Sequence, residues 1–194
     1  MVRNDARQRG ATLAEFTVST AIMALILTTT TAALDSMYRR AALRSAASRV
    51  RGLLQRAQLD AHLLSTNRAV KFIQRPEGWS YAVYQDGNGN GVSNKEIATG
   101  VDPVIVTERP LDDENGVRVG LIDGETDPDG GPPLTSPVNF NRSNLCSFSQ
   151  SGSGTPGTVY LTDGSGAIAV RSSGDDGLLR ILVYTPESGK WVEL

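Results

Sequence analysis

Three places in the chain hold residue types that could do chemistry. The densest is Asp86-Gly87-Asn88-Gly89-Asn90-Gly91-Val92-Ser93-Asn94-Lys95-Glu96. Side-chain oxygens at positions 1, 3 and 5, glycine at 6 and a backbone carbonyl at 7 follow the spacing with which an EF-hand loop wraps Ca2+. On that reading Asp86, Asn88, Asn90, the Val92 carbonyl and Glu96 are candidate ligands, and Ca2+ is the one candidate cofactor. The second acid falls at position 11 where an EF-hand has it at 12, so only weak binding is expected, around 10⁻⁴–10⁻³ M. The competing reading is a Gly/Asn hairpin turn with no metal. The glycine spacing does not fit a dinucleotide fingerprint.

The second place is Asp123, Glu125, Asp127 and Asp129, inside a stretch from Asp123 to Pro137 that is dense in Gly, Pro and acid. Four carboxylates could gather a cation, but the composition predicts a long, mobile, solvated loop. The third place is defined by scarcity. His62 is the single histidine and Cys146 the single cysteine. No nucleophile–base–orienter set can be assembled, so an enzyme is not expected. Cys146 has no partner in its own chain and reads as a small buried apolar residue.

These residues need elements to position them. Residues 11–34 are apolar or hydroxylated apart from Glu15. As a helix that segment spans roughly 36 Å, against a hydrocarbon core of about 30 Å. The reading is a transmembrane helix, diluted by Thr12, Thr17, Ser19, Thr20 and Thr28–Thr31. A carboxylate at the edge of such a segment is costly unless partnered, which makes Glu15 a functional candidate. The alternative is a cleavable secretory signal that releases a soluble β domain near Leu34.

The helix is expected to continue through 35–66. Met37, Ala41, Leu43, Ala46/Ala47, Val50, Leu53/Leu54, Ala57, Ala61 and Leu64 recur at three- and four-residue spacing, and no proline occurs before Pro76. Arg39, Arg40, Arg44, Arg49, Arg51 and Arg56 are assigned to the opposite, solvated face. From Arg68 the period becomes two. Ala69–Ile73 and Trp79–Tyr84 read as a hairpin, and Val104–Thr107 and Val117–Leu121 as further strands. Phe148–Gly157 reads as a Ser/Gly loop. Thr158–Thr162, Ala167–Arg171, Leu178–Tyr184 and Trp191-Val192 read as an antiparallel meander. The fold class is therefore α+β: a long N-terminal helix packed on a β-rich antiparallel two-sheet head covering 67–194.

The order of these pieces resembles a known family. Arg9-Gly10-Ala11-Thr12-Leu13-Ala14-Glu15-Phe16, with Glu five positions after Gly, is similar to the N-terminus of type IV pilins and pseudopilins. The Arg/Ala-rich helix, the Val-Lys-Phe and Trp-Ser-Tyr-Ala-Val-Tyr strands and the Asp-Gly-Asn-Gly-Asn-Gly loop resemble its GspH/FimT branch. The resemblance implies a prepilin leader over 1–10, cleavage after Gly10 by a membrane-embedded prepilin peptidase, methylation of Ala11, and Glu15 as the assembly carboxylate. Ala11 departs from the Phe or Met usual there. It also implies a single-pass protein of the bacterial inner membrane with its head in the periplasm. Other pseudopilins or minor pilins would be its partners. The expected role is a minor pseudopilin of the type II secretion pseudopilus, with a type IV minor pilin in pilus assembly or DNA uptake as the alternative.

Charge bears on that choice. Residues 1–75 carry a net +8 and residues 76–194 a net −10. An acidic head argues against nucleic acid as a partner, since phosphate contacts need Lys and Arg.

Overall fold

The computed structural model describes residues 12–112, 116–174, 176–185 and 188–194, leaving aside the side chains of 27–33. The chain divides into two units, Met1–Arg39 and Arg40–Leu194.

Helix α1, Leu13–Leu63, runs 51 residues and contributes to both units. Its length follows from composition: between Thr12 and Leu64 there is no proline and one glycine, Gly52. It stops where Ser65 takes a left-handed φ of 50° and the Thr66 N–H donates back to the Ala61 carbonyl at 3.1 Å, as a helix C-terminus requires.

In the first unit, Leu13, Phe16, Val18, Ile22, Met23, Leu25, Ile26, Leu34, Met37 and Tyr38 are all exposed. Two hydroxyls of the segment bond back to the helix: Thr17 Oγ1 donates to the Ala14 carbonyl at 2.9 Å and Thr20 Oγ1 to that of Phe16 at 2.8 Å. Among the described residues no helix is long and apolar enough to cross a membrane.

In the second unit α1 buries Leu43, Ala46, Ala47, Val50, Leu54, Ala57 and Ala61 of the face that the spacing predicts, while Ala41 and Leu64, and Met37 in the first unit, read onto the same stripe, are exposed. Alanines on that face let the sheets approach closely. Strands β1 (Arg68–Arg75), β2 (Gly78–Gln85), β3 (Val104–Pro110) and β6 (Leu145–Phe148) form one antiparallel sheet in the order β3-β2-β1-β6. Strands β4 (Arg118–Val119), β7 (Gly157–Thr162), β8 (Ala167–Ser172), β9 (Leu179–Thr185) and β10 (Lys190–Glu193) form the second, in the order β10-β9-β8-β7-β4, and β5 (Val138–Asn139) adds to β7. A six-residue helix α2, Asn94–Thr99, lies between β2 and β3. Val70, Phe72, Cys146 and Phe148 from one sheet join Val159, Leu161, Ile168 and Val170 from the other and the α1 face in one apolar cluster. Phe72 stacks on Phe140 at 5.5 Å between ring centroids, nearly parallel.

Two expectations are corrected, and one strand is added. Residues 121–137 are a packed strap: Glu125 is 1% exposed, and Thr126 bridges Pro133. The Tyr160 hydroxyl donates to Asp127, Trp191 Nε1 donates to the Thr126 carbonyl at 2.8 Å, and Arg171 pairs with Asp127 and Asp129. Two of the acids that suggested solvation, Asp127 and Asp129, are partners of side chains far along the chain, while Glu125 is buried and accepts from the Ile122 N–H at 2.9 Å. The segment before the Ser/Gly loop is strand β6, which pairs with β1 from Arg68↔Phe148 to Lys71↔Leu145. Finally, the arginines of α1 flank its buried face. The positions facing directly away from the core are Ala41, Ser45, Ser48, Gly52, Leu59 and Leu63, all exposed and roughly half a turn from Val50 and Leu54.

Candidate functional site

Gly10 and Ala11 lie outside the described residues. Glu15 stands in the first turn of α1. Its Oε2 accepts from the Thr12 backbone N–H at 2.8 Å and from Thr12 Oγ1 at 3.2 Å, and its own N–H donates to Thr12 Oγ1 at 3.3 Å. This is a capping box, in which two helix-terminal donors are satisfied reciprocally. The signal was present in the sequence as Thr12-x-x-Glu15, and it gives Glu15 a local role in starting α1. Both residues are exposed, so the carboxylate remains open to a second partner.

The rest of this site is the outward side of α1. A surface helix on a globular core normally turns charge to solvent. Here Leu59 and Leu63 are 51% and 66% exposed, and Ala41, Ser45, Ser48 and Gly52 continue the same line. An added Cβ at Gly52 would meet nothing within 4 Å, so no internal contact explains a glycine there. Two of the arginines beside the line are held along the helix: Arg56 Nε pairs with Asp60 at 3.0 Å, and Arg49 Nη1 donates to Ser45 Oγ at 3.3 Å. The result is a low strip of small and apolar residues bordered by exposed arginines, onto which another helix could close.

The candidate metal loop folds around Asp86, which is 5% exposed. Its Oδ1 accepts from the backbone N–H groups of Asn88 (3.1 Å) and Gly89 (2.7 Å). Its Oδ2 accepts from the Gly91 N–H and from Asn67 Nδ2, both at 2.7 Å. Burial pushes the Asp86 carboxyl up, but these four donors outweigh it and hold the group below its ordinary value. Glu96 Oε1 accepts from Asn90 Nδ2 (2.8 Å) and Asn88 Nδ2 (2.7 Å), and Oε2 from Ser93 Oγ (2.9 Å). These bonds, those from Asn90 and Asn88 foremost, lower its pKa as well. Ser93 and Glu96 also cap α2, and Gly100, at φ 77°, closes it. Val92 lies in the same turn between Gly91 and Ser93, whose N–H donates to buried Asp102 at 2.9 Å. All four carboxylate oxygens of Asp86 and Glu96 thus face N–H or O–H donors. Among the described residues no three His, Cys, Asp or Glu side chains come together as a metal-holding group.

His62 is structural: its Nδ1 meets the Gln150 carbonyl at 3.1 Å. Cys146 is buried, and that burial pushes its thiol pKa up, away from reactivity.

No protein-family profile and no curated protein matches the chain. Among solved structures it is similar to the minor pseudopilin EpsH of the type 2 secretion system of Vibrio cholerae, at 16% identity and a TM-score of 0.43. That likeness covers 73% of this chain and 96% of the other.

Proposed function

We propose that this chain is a non-catalytic subunit of a pilin-like filament, of the minor pseudopilin kind, that joins its neighbours through α1. The observation that carries the reading is the apolar surface that α1 leaves uncovered. Among the described residues its first unit exposes ten large apolar or aromatic side chains, and its second exposes Leu59 and Leu63 beyond Gly52. Surface of that kind calls for helices or lipid against it.

Before assembly, α1 from Leu13 onward sits in the membrane. Thr17 and Thr20 carry their own hydrogen-bond partners into the apolar phase, and neighbouring helices complete the cover. Glu15, closed onto Thr12 while the subunit is alone, pairs in the filament with the positive N-terminal amine of an adjacent subunit and sets the axial register. The chemistry of Gly10 and Ala11 belongs to the same reading, as the point of leader removal and the methylated new terminus.

The test is the intact mass and N-terminal sequence of the protein taken from native membranes, with Glu15→Ala alongside. A chain that starts at Ala11, together with a Glu15→Ala variant that is processed but not incorporated, is the expected result. A chain that starts near Leu34 would make this a secreted β domain. Normal assembly by Glu15→Ala would remove the register role.

A further inference from the structure

We propose that the Asp86 carboxylate guards the two asparaginyl–glycyl bonds beside it, Asn88–Gly89 and Asn90–Gly91, against deamidation, and that these asparagines are the modification sites exposed when it is lost. Asn88, Gly89 and Asn90 are exposed, and a following glycine puts no side chain in the way of ring closure. In that reaction the glycyl nitrogen gives up its proton and attacks the asparagine Cγ. The N–Cγ bond forms, the Cγ–Nδ2 bond breaks, and ammonia leaves with the proton. Water then opens the cyclic imide at one carbonyl or the other, leaving aspartate or isoaspartate. Isoaspartate lengthens the backbone by a methylene, which this tight loop could not absorb.

Here both reactants of each closure are held. The attacking nitrogens are engaged on opposite oxygens of one acid: Gly89 N–H on Asp86 Oδ1 and Gly91 N–H on Oδ2, each at 2.7 Å. The two amides under attack are held by a different acid, with Asn88 Nδ2 and Asn90 Nδ2 both on Glu96 Oε1. Asp86 is itself fixed from behind. Its backbone N–H donates to the Asn67 carbonyl at 3.0 Å, and Asn67 Nδ2 binds its Oδ2 at 2.7 Å. To react, a glycyl nitrogen must first leave a charged acceptor, which is worth about tenfold or more in rate. The inference does not depend on the filament reading. A third such pair, Asn115–Gly116, falls partly outside the described residues.

The experiment incubates the full-length chain, Asp86→Asn and Asp86→Ala in mildly alkaline buffer, each with and without urea. It follows deamidated and isoaspartyl forms of Asn88 and Asn90 by peptide mass spectrometry. The folded wild type is expected to react about tenfold or more slowly than the same chain in urea at both sites. Asp86→Ala should approach the urea rate at both. Asp86→Asn keeps one acceptor oxygen and should release only one of the two sites, Asn90 if that oxygen stays towards Gly89. The substitution also places an asparagine before Gly87, whose N–H is held by Asp102 Oδ1 at 3.1 Å; that pair is followed separately, and only molecules in which the introduced asparagine is intact are scored. Circular dichroism identifies a variant that has unfolded outright; the wild-type comparison and the one-site pattern of Asp86→Asn then decide. Folded wild type reacting at the urea rate, or folded Asp86→Ala reacting no faster than wild type, would overturn the proposal.

Discussion

Tyr160 and Asp127 meet across the outer face of the second sheet, the phenol hydroxyl donating to Asp127 Oδ2 at 2.8 Å. Tyr160 is fully buried; desolvation first, and then the bond to Asp127, raises its pKa and keeps it a neutral donor. Arg171 braces the same acid from the sheet, at 3.3 Å. The strap is therefore fastened from β7, β8 and, through Trp191, β10.

Removing only that hydroxyl should loosen the strap. Tyr160→Phe is expected to cost about 1–3 kcal/mol, because Asp127 loses a buried donor. In a domain of this size that lowers Tm by several degrees. Limited proteolysis should then cut first within 121–137. An unchanged Tm and cleavage pattern would mean that Arg171 and Trp191 suffice.

Acid should act through Glu108 at the edge of the first sheet. Arg75 binds it through two nitrogens, at 2.8 and 2.7 Å, and Ser80 Oγ adds a short hydrogen bond. The Arg75 bond first, then that of Ser80, lowers the Glu108 pKa from 4.5 to about 2. A depressed carboxyl stabilises the fold above its unfolded pKa and loses that contribution as pH falls towards its folded one. Wild type should therefore be more stable than Glu108→Gln at neutral pH, and the gap should close between about pH 4.5 and 2. Denaturant midpoints measured through that window test it; a constant gap would rule it out.

Gly52 separates folding from assembly. An added Cβ meets nothing, so Gly52→Ala should stabilise the folded chain by roughly 0.5–1 kcal/mol through helix propensity. Gly52→Leu should fold as well yet fail to enter the filament, because a large side chain blocks a close helix approach. Incorporation of Gly52→Leu at the wild-type level would show that this strip has no partner.

The loop around Asp86 is expected to fold without Ca2+. Its carboxylate oxygens already accept N–H and O–H donors, and a cation would have to displace them. Thermal unfolding in millimolar Ca2+ and in chelator should coincide. A rise of several degrees with Ca2+ alone would mean that Asn88 and Asn90 turn their carbonyls inward to bind it.

Much of this fold was legible in the sequence where a period repeats. The α1 face from Leu43 to Ala61 follows three- and four-residue spacing. The β1–β2 hairpin and the β7–β10 meander follow alternation broken by glycine turns. Short elements were not legible by period. Helix α2 has six residues, and only Ser93-x-x-Glu96 and Gly100 announce it. The strap is hidden from a sequence reading because Gly, Pro and acid signal solvent, while its partners lie between 33 and 65 residues downstream. At the candidate site, the acids Asp86 and Glu96 stand out in the sequence. That they hold N–H groups follows only from a backbone curled tightly enough to bring those groups inward.

The place of β6 has a consequence for how the chain is made. Strand β1 gains its hairpin partner within a few residues, but its other edge stays open until Leu145–Phe148 has been synthesised. The apolar face of α1 waits longer still, since its cover extends to Leu179. A nascent or truncated chain ending before Phe148 therefore presents an unpaired strand edge beside an uncovered helix. Both features invite aggregation. Most of the head must therefore be synthesised before its strand edges and the face of α1 are covered.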